Sequence, residues 1–429
     1  MLKEVTIENY KSFDKLQLFS MEACPENQVS EFSDHVAPIN GNRLLKISSI
    51  YGPNGGGKSN LIKAILLPVK IVRQSGDSPD YETLSAFEGA DEEAASYETF
   101  IFSKSKACKE TIFFVNEDYE IGYQFEISFS TKRSEHFLRD QELIIVHSES
   151  VTFRKAGEKD FKPLFERNDN GMIVSDYFSQ VDLVKNKIAL SPYLSFVRYI
   201  AATYRSSKAA GNSEAEFAVL QSLYTELMSI SLFSSATHHY FNAMWAKRAI
   251  DANKPVILKA LTAAGILVKD ILIRITQGIA KIYLVRGKAN DKDYVLPLAS
   301  ESDGTRKLFA FLLTLVTSPK NAVLLGDDFD SQLHPKLIQA VLAIFTDPKS
   351  QRQFIFNSHD LINMTNENFR RDEIWFAYRN DDYATILFPL SSVVDYQGKP
   401  VRKDAKYSKQ YLEDRYGADP FVKKGLSLL

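Results

Sequence analysis

Residues 52–59 read Gly52-Pro53-Asn54-Gly55-Gly56-Gly57-Lys58-Ser59. This G-x-x-x-x-G-K-[ST] string constrains the fold more than any other feature of the chain. Its glycines let successive backbone N–H groups turn inward around a phosphate. Lys58 brings a positive charge to the β- and γ-phosphates, and the Ser59 hydroxyl is a ligand for Mg²⁺. Such a loop needs a buried strand before it and a helix N-terminus after it. Both flanks comply. Residues 44–51 are short, largely apolar and contain two isoleucines, and 59–69 opens like a helix. The chain is expected to be α/β and to take a nucleoside triphosphate.

At 429 residues the chain has room for two or three domains. Apolar residues at 45% and charged residues at 25% are those of an ordinary globular protein. A formal charge of −2 gives no global attraction for nucleic acid or an anionic membrane, so such contacts would need a local patch. Cys24 and Cys108 are too far apart in sequence to read as a metal pair or disulfide framework, which suits a reducing compartment. Residues 1–5 lack a signal-peptide core, and the longest apolar run, 308–316, is too short to span a bilayer. The expectation is a cytoplasmic protein with no membrane partner.

Patterning divides the chain further. A strand over 2–7, a turn over 9–13 and a return strand over 16–19 open it. Residues 74–98, with Asp91, Glu92 and Glu93, read as a surface excursion. Strands are predicted at 111–115, 119–129 and 142–146, then helical spacing from 175 to 264, clearest in 214–230 and 241–250. Strand patterns return at 271–275 and 281–284. The expected organisation is a first half of a nucleotide-binding head over 1–156, a helical insertion or lid over 157–270, a second half over 271–392 and a tail over 393–429. Sustained heptads are missing, and Pro192 and Pro255 are expected to interrupt the helical stretch, so the insertion reads as compact.

The second half carries three further motifs. Ser302-Asp303-Gly304-Thr305 precedes a helix over 306–316. A serine hydroxyl and a glycine N–H there would form a second anion site, although a plain N-cap explains the string equally well. Residues 322–328 are an apolar run ending in Asp327 and Asp328. A buried strand in an open α/β sheet presents such acids to a ligand at its C-terminal end. Asp327 would hold Mg²⁺ directly or through water, and Asp328 would orient or deprotonate an attacking water. A third apolar run, 353–357, ends in Ser358-His359-Asp360. There His359 could hydrogen-bond a γ-phosphate and a water, a structural histidine being the plain alternative. His238 and His239 are adjacent and would point apart on a helix, so no metal site is expected.

Taken in this order, the motifs resemble the ATP-binding-cassette ATPases. The late signature and Asn9-Tyr10-Lys11-Ser12-Phe13 resemble the subgroup of DNA-break-repair heads, SMC, RecF and OLD-type ATPases. The strings ESDGTRKLF, FDSQLHP, NSHD, RRDEIWF and YLEDRYGA resemble the RloA-like abortive-infection ATPases of bacteria. The resemblance implies an ABC-type P-loop head, a mixed sheet with helices plus an N-terminal antiparallel β region, carrying a helical insertion. It implies that Asn54, Gly55, Gly56, Gly57, Lys58, Ser59 and Asn60 surround the phosphates of ATP and that Lys11 touches the nucleotide. Ser302 and Gly304 would act on the ATP of a second subunit, making a homodimer or a higher even-numbered oligomer. Also implied are Mg²⁺-dependent ATP hydrolysis and a role in anti-phage defence with a separately encoded effector, a nuclease. DNA or RNA stays open as a further partner.

Three departures accompany the resemblance. The second acid after the strand is usually glutamate and here is Asp328. Its carboxylate is withdrawn by one methylene, where a misplacement of about 1 Å can cost about a hundredfold, so slow hydrolysis is expected unless a rearranged water compensates. The Mg²⁺-sensing glutamine is unplaced between Gln141 and Gln180. Only about seventy residues follow His359, too few for a Toprim nuclease domain. The basic residues of 398–424 read either as a solvated tail or as a dock for nucleic acid or a partner, with 411–417 aromatic enough to pack. The alternative overall reading is a slow-hydrolysing, RecF-like clamp or sensor. A transporter cassette fits poorly, because those heads lack the N-Y-K-S-F element and separate loop and signature by far fewer residues.

Overall fold

The computed structural model describes residues 1–25, 32–74, 106–132, 141–207, 214–233, 243–276, 279–289, 292–394, 397–402 and 405–418. All but the first residue of the expected excursion over 74–98, the pair His238 and His239, and Lys403, Lys423 and Lys424 lie outside them.

Alternating burial builds the N-terminal strands. β1 (Leu2–Glu8) and β2 (Gln17–Ser20) flank a turn closed by the Tyr10–Phe13 bridge. The single strand expected over 44–51 is two. β3 (Val36–Ile39) and β4 (Asn42–Leu45) form a small hairpin, and β5 (Ile47–Tyr51) joins a different sheet. The break falls at Lys46, whose N–H donates to His35 O at 2.8 Å and whose ammonium donates to Asp347 O at 2.9 Å. Helix α1 (Lys58–Gln74) follows and continues through Pro68. β6 (Cys108–Val115), β7 (Tyr119–Lys132) and β8 (Gln141–Lys155) follow as three consecutive strands, β8 reaching well past the expected 142–146, and β9 (Lys162–Arg167) and β10 (Ile173–Val174) extend them. These seven strands form one antiparallel sheet in the order β10-β9-β8-β7-β6-β1-β2.

The segment expected as a helical insertion is only partly helical and is woven into the head. It supplies β9 and β10 to the antiparallel sheet. Its helices α2 (Phe196–Ser207) and α3 (Glu214–Ser229) share one core with α1 and the strands, through Phe196, Ile200, Leu223 and Leu227. Directly after α3, Ile230–Phe233 forms β11, a strand that the helical pattern over 214–230 concealed. Helix α4 (Ala243–Ala263) runs through Pro255, which does not end it as expected. Both Pro255 and Asp251, whose carbonyl the proline leaves without an intrahelical partner, are exposed to water.

Two sheets complete the molecule. β12 (Asp270–Thr276), β13 (Ile279–Ala289) and β14 (Lys292–Pro297) form a three-stranded antiparallel sheet. Its apolar face packs on α4 and on α5 (Asp303–Thr317) through Ile271, Ile282, Leu284, Ile257 and Leu312. β15 (Val323–Gly326), helix α6 (Pro335–Thr346), β16 (Gln353–Asn357), β17 (Ile374–Arg379) and β18 (Thr385–Pro389) build a central sheet ordered β11-β15-β16-β5-β17-β18. Its first five strands are parallel and β18 is antiparallel. β15 and β16, buried along their whole length, read as largely apolar runs. The described part of the tail packs on its own head: α7 (Tyr407–Leu412) places Tyr411 flat on Phe376, 5.5 Å between ring centroids.

Candidate functional site

Register brings the motifs together before any side chain is considered. In the central sheet Gly326 of β15 lies opposite Phe356 of β16, and Asn357 lies opposite Ile50 of β5. The acids, the Ser358-His359 turn and the phosphate loop therefore leave three adjacent parallel strands at the same C-terminal edge. Open α/β sheets bind ligands at that edge.

Three glycines of the loop, Gly52, Gly56 and Gly57, are fixed by close approach, a Cβ on Gly56 falling 2.5 Å from Ala377 O. A Cβ on Gly52, at φ 151°, would lie 2.0 Å from Ala377 O of β17, and one on Gly57, at φ 108°, would lie 2.2 Å from Thr385 Oγ1. Thr385, which the sequence did not single out, donates from Oγ1 to Gly56 O at 2.9 Å or to Ser12 Oγ at 2.7 Å. Asn60 donates to the same Ser12 oxygen at 2.7 Å, so it braces the loop against the N-terminal turn. Lys11, next to Ser12, has φ 51° and stands 5.8 Å from the Tyr10 ring centroid. Asn54 and Gly55 are exposed at the tip of the loop. The buried Lys58 ammonium donates to Gly52 O at 2.8 Å and to Pro53 O at 3.0 Å. Burial pulls its pKa below the ordinary value, opposed by Asp328, Asp327 and Asp330.

Asn357, like Thr385, is a site residue that the sequence motifs did not single out. Its Nδ2 donates to Ser59 Oγ at 3.3 Å and to Asp327 Oδ1, and its Oδ1 accepts the N–H of Asp328. One buried amide thus ties the helix after the loop to both acids. Ser59 and Asp327 offer a hydroxyl and a carboxylate side by side, a hard oxygen set that suits Mg²⁺. Asp328 has φ 54°, a left-handed conformation that aspartate tolerates. Its carboxylate is half exposed, with Oδ1 3.7 Å from His359 Nε2. Asp330 fixes the neighbouring turn: its Oδ2 accepts from Ser358 Oγ at 2.6 Å, His359 N at 3.1 Å and Asp360 N at 2.6 Å.

Ser302 caps α5. Its Oγ accepts from Thr305 N at 3.3 Å and donates to Thr305 Oγ1 at 3.0 Å, while the residue stays exposed. The plain N-cap is therefore present, and it leaves the turn open to solvent. A Cβ on Gly304 would lie 2.6 Å from Gln332 O, so the turn sits directly on the loop that follows Asp328. Gln180 is exposed in a turn, and no described hydrogen bond ties it to the phosphate loop, whereas Gln141 is the first residue of β8.

Over residues 47–363 the chain matches, and belongs to, the ATPase-domain family described as "AAA domain, putative AbiEii toxin, Type IV TA system". No functionally curated protein matches it significantly. Among solved structures it is similar to the SMC head domain from Thermotoga maritima, with 15% identity over 90% of this chain and 98% of that one, TM-score 0.38. It is also similar to an SMC head bound to the C-winged helix domain of ScpA, with 14% identity over 90% of this chain and 97% of that one, TM-score 0.40. Among the described residues, no helix is long and apolar enough to cross a membrane.

Proposed function

We propose that the chain hydrolyses ATP with Mg²⁺ at this edge and works as a nucleotide-gated dimeric switch. The observation that carries the reading is the Asn357 bridge, which sets the Ser59 hydroxyl beside the Asp327 carboxylate behind a loop lined by Lys58. In this reading Lys58 exchanges its contacts with Gly52 O and Pro53 O for phosphate oxygens. Ser59 and Asp327 hold the metal, which neutralises phosphate charge when bound. Asp328 orients the attacking water and takes its proton, with His359 completing the polar wall. Ser302 and Gly304, on an open turn, meet the nucleotide of the partner subunit.

The abortive-infection resemblance, together with the toxin wording of the family description, supports a defence role with a separately encoded effector nuclease. The shorter carboxylate of Asp328 is the observation favouring the second reading, a slow clamp or sensor. Steady-state phosphate release decides between them. Turnover abolished by Lys58→Ala and preserved or raised by Asp328→Glu supports the switch. ATP-dependent dimers with negligible turnover, with nucleic acid present, would support the clamp.

A further inference from the structure

Lys307 is a fully buried lysine on the second turn of α5. Its ammonium donates to Asp328 O at 2.5 Å, Ser331 O at 3.0 Å and Ser331 Oγ at 2.6 Å. All three acceptors belong to the loop that carries the acids, and none to its own helix. A buried cation is costly unless fully hydrogen-bonded, and here the three N–H donors meet three oxygens of one short segment. The same loop is attached to the first turn of α5 twice more. Gln332 Nε2 donates to Asp303 Oδ2 at 3.2 Å, and Gly304 packs on Gln332 O. The signature turn and the acid loop are thus one mechanical unit.

The clamp bears on Asp328 in particular. Its N–H is held by Asn357 Oδ1 and its C=O by Lys307 Nζ, so both peptide units that set its left-handed backbone are gripped, from β16 on one side and α5 on the other. The carboxylate, by contrast, has only the long contact of 3.7 Å to His359 Nε2 among the described residues, and a short side chain takes its direction from its backbone. We propose that Lys307 is a positioning residue that couples the signature turn to the aspartate of its own chain. A displacement of Ser302 and Gly304 by a nucleotide on the partner subunit would then move Asp328 toward or away from its own nucleotide. The two sites of a dimer would be linked within each protomer. This rests on the proposed ATPase reading.

The test compares Lys307→Met, which fills the space without the ammonium, with Lys307→Arg, which keeps the donors. Hydrogen–deuterium exchange on the nucleotide-free protein should show faster exchange over 327–334 in Lys307→Met, with β15 and the body of α5 unchanged. Turnover should fall about tenfold to a hundredfold with ATP affinity altered less than about twofold. Lys307→Arg should recover part of both. In an Asp328→Ala background, Lys307→Met should cost nothing further. Unchanged exchange over 327–334, or an equal loss in both backgrounds, would overturn the coupling. If the unmodified protein shows no turnover, the ATPase reading fails and the exchange measurement still decides whether the clamp exists.

Discussion

Asn357 spends one amide on three partners, and its removal isolates what geometry contributes to the site. Asn357→Ala leaves Ser59 Oγ, Asp327 Oδ1 and the Asp328 N–H without the group that aligns them. Groups that orient metal ligands from behind typically cost about tenfold to a hundredfold in affinity or activity when lost. Phosphate release by Asn357→Ala should fall by that order, and the Mg²⁺ concentration for half-maximal rate should rise. A rate loss with an unchanged Mg²⁺ titration would show that the amide serves the backbone of Asp328 rather than the metal ligands. The sequence displayed Ser59 because its loop motif has fixed spacing, and the acids because they end an apolar run. Asn357 and Thr385 were hidden because they act across strands, from positions about three hundred residues or more away in sequence from Ser59 and Gly56.

Elements were legible where period and chemistry agreed. Strands β6 and β7 and the helices flanking the two loop motifs fall close to where their patterns place them, whereas β8 runs on to Lys155, well past the expected 142–146. β11 was not visible. Its four residues continue the apolar run of α3 without a turn signal, and only pairing with Val323–Gly326 makes them a strand. Pro255 misled for a related reason: a proline on a solvated helix face frees a carbonyl that water can satisfy. The tail was open between solvated and packed, and α7 resolves it for the described part. Tyr411 is 5% exposed and stacks on Phe376 at 9° between planes. Truncating a buried aromatic ring costs about 3 kcal/mol. Tyr411→Ala should therefore lower the thermal midpoint measured by calorimetry while leaving ATP affinity near that of the unmodified protein. A loss of ATP binding at temperatures well below the midpoint would instead place the tail in the nucleotide site.

At the scale of the molecule, two sheets clasp α1. The antiparallel sheet and α2 and α3 bury one side of it, and the C-terminal edge of the parallel sheet carries the loop, the acids and His359. The signature turn sits on the same edge beside the acid loop of its own chain, exposed where a second head could reach it. In the proposed reading one chain would supply half of each of two composite sites, and an isologous pair would complete both. Complementation measures this directly. Lys58→Ala loses the loop but keeps its signature, whereas Ser302→Arg does the reverse. Each alone should be inactive, and an equal mixture should recover about a quarter of the unmodified rate, because half the dimers are mixed and each holds one intact composite site. Two inactive variants that stay inactive at every mixing ratio, while still exchanging subunits, would contradict a nucleotide gripped by loop and signature from opposite chains.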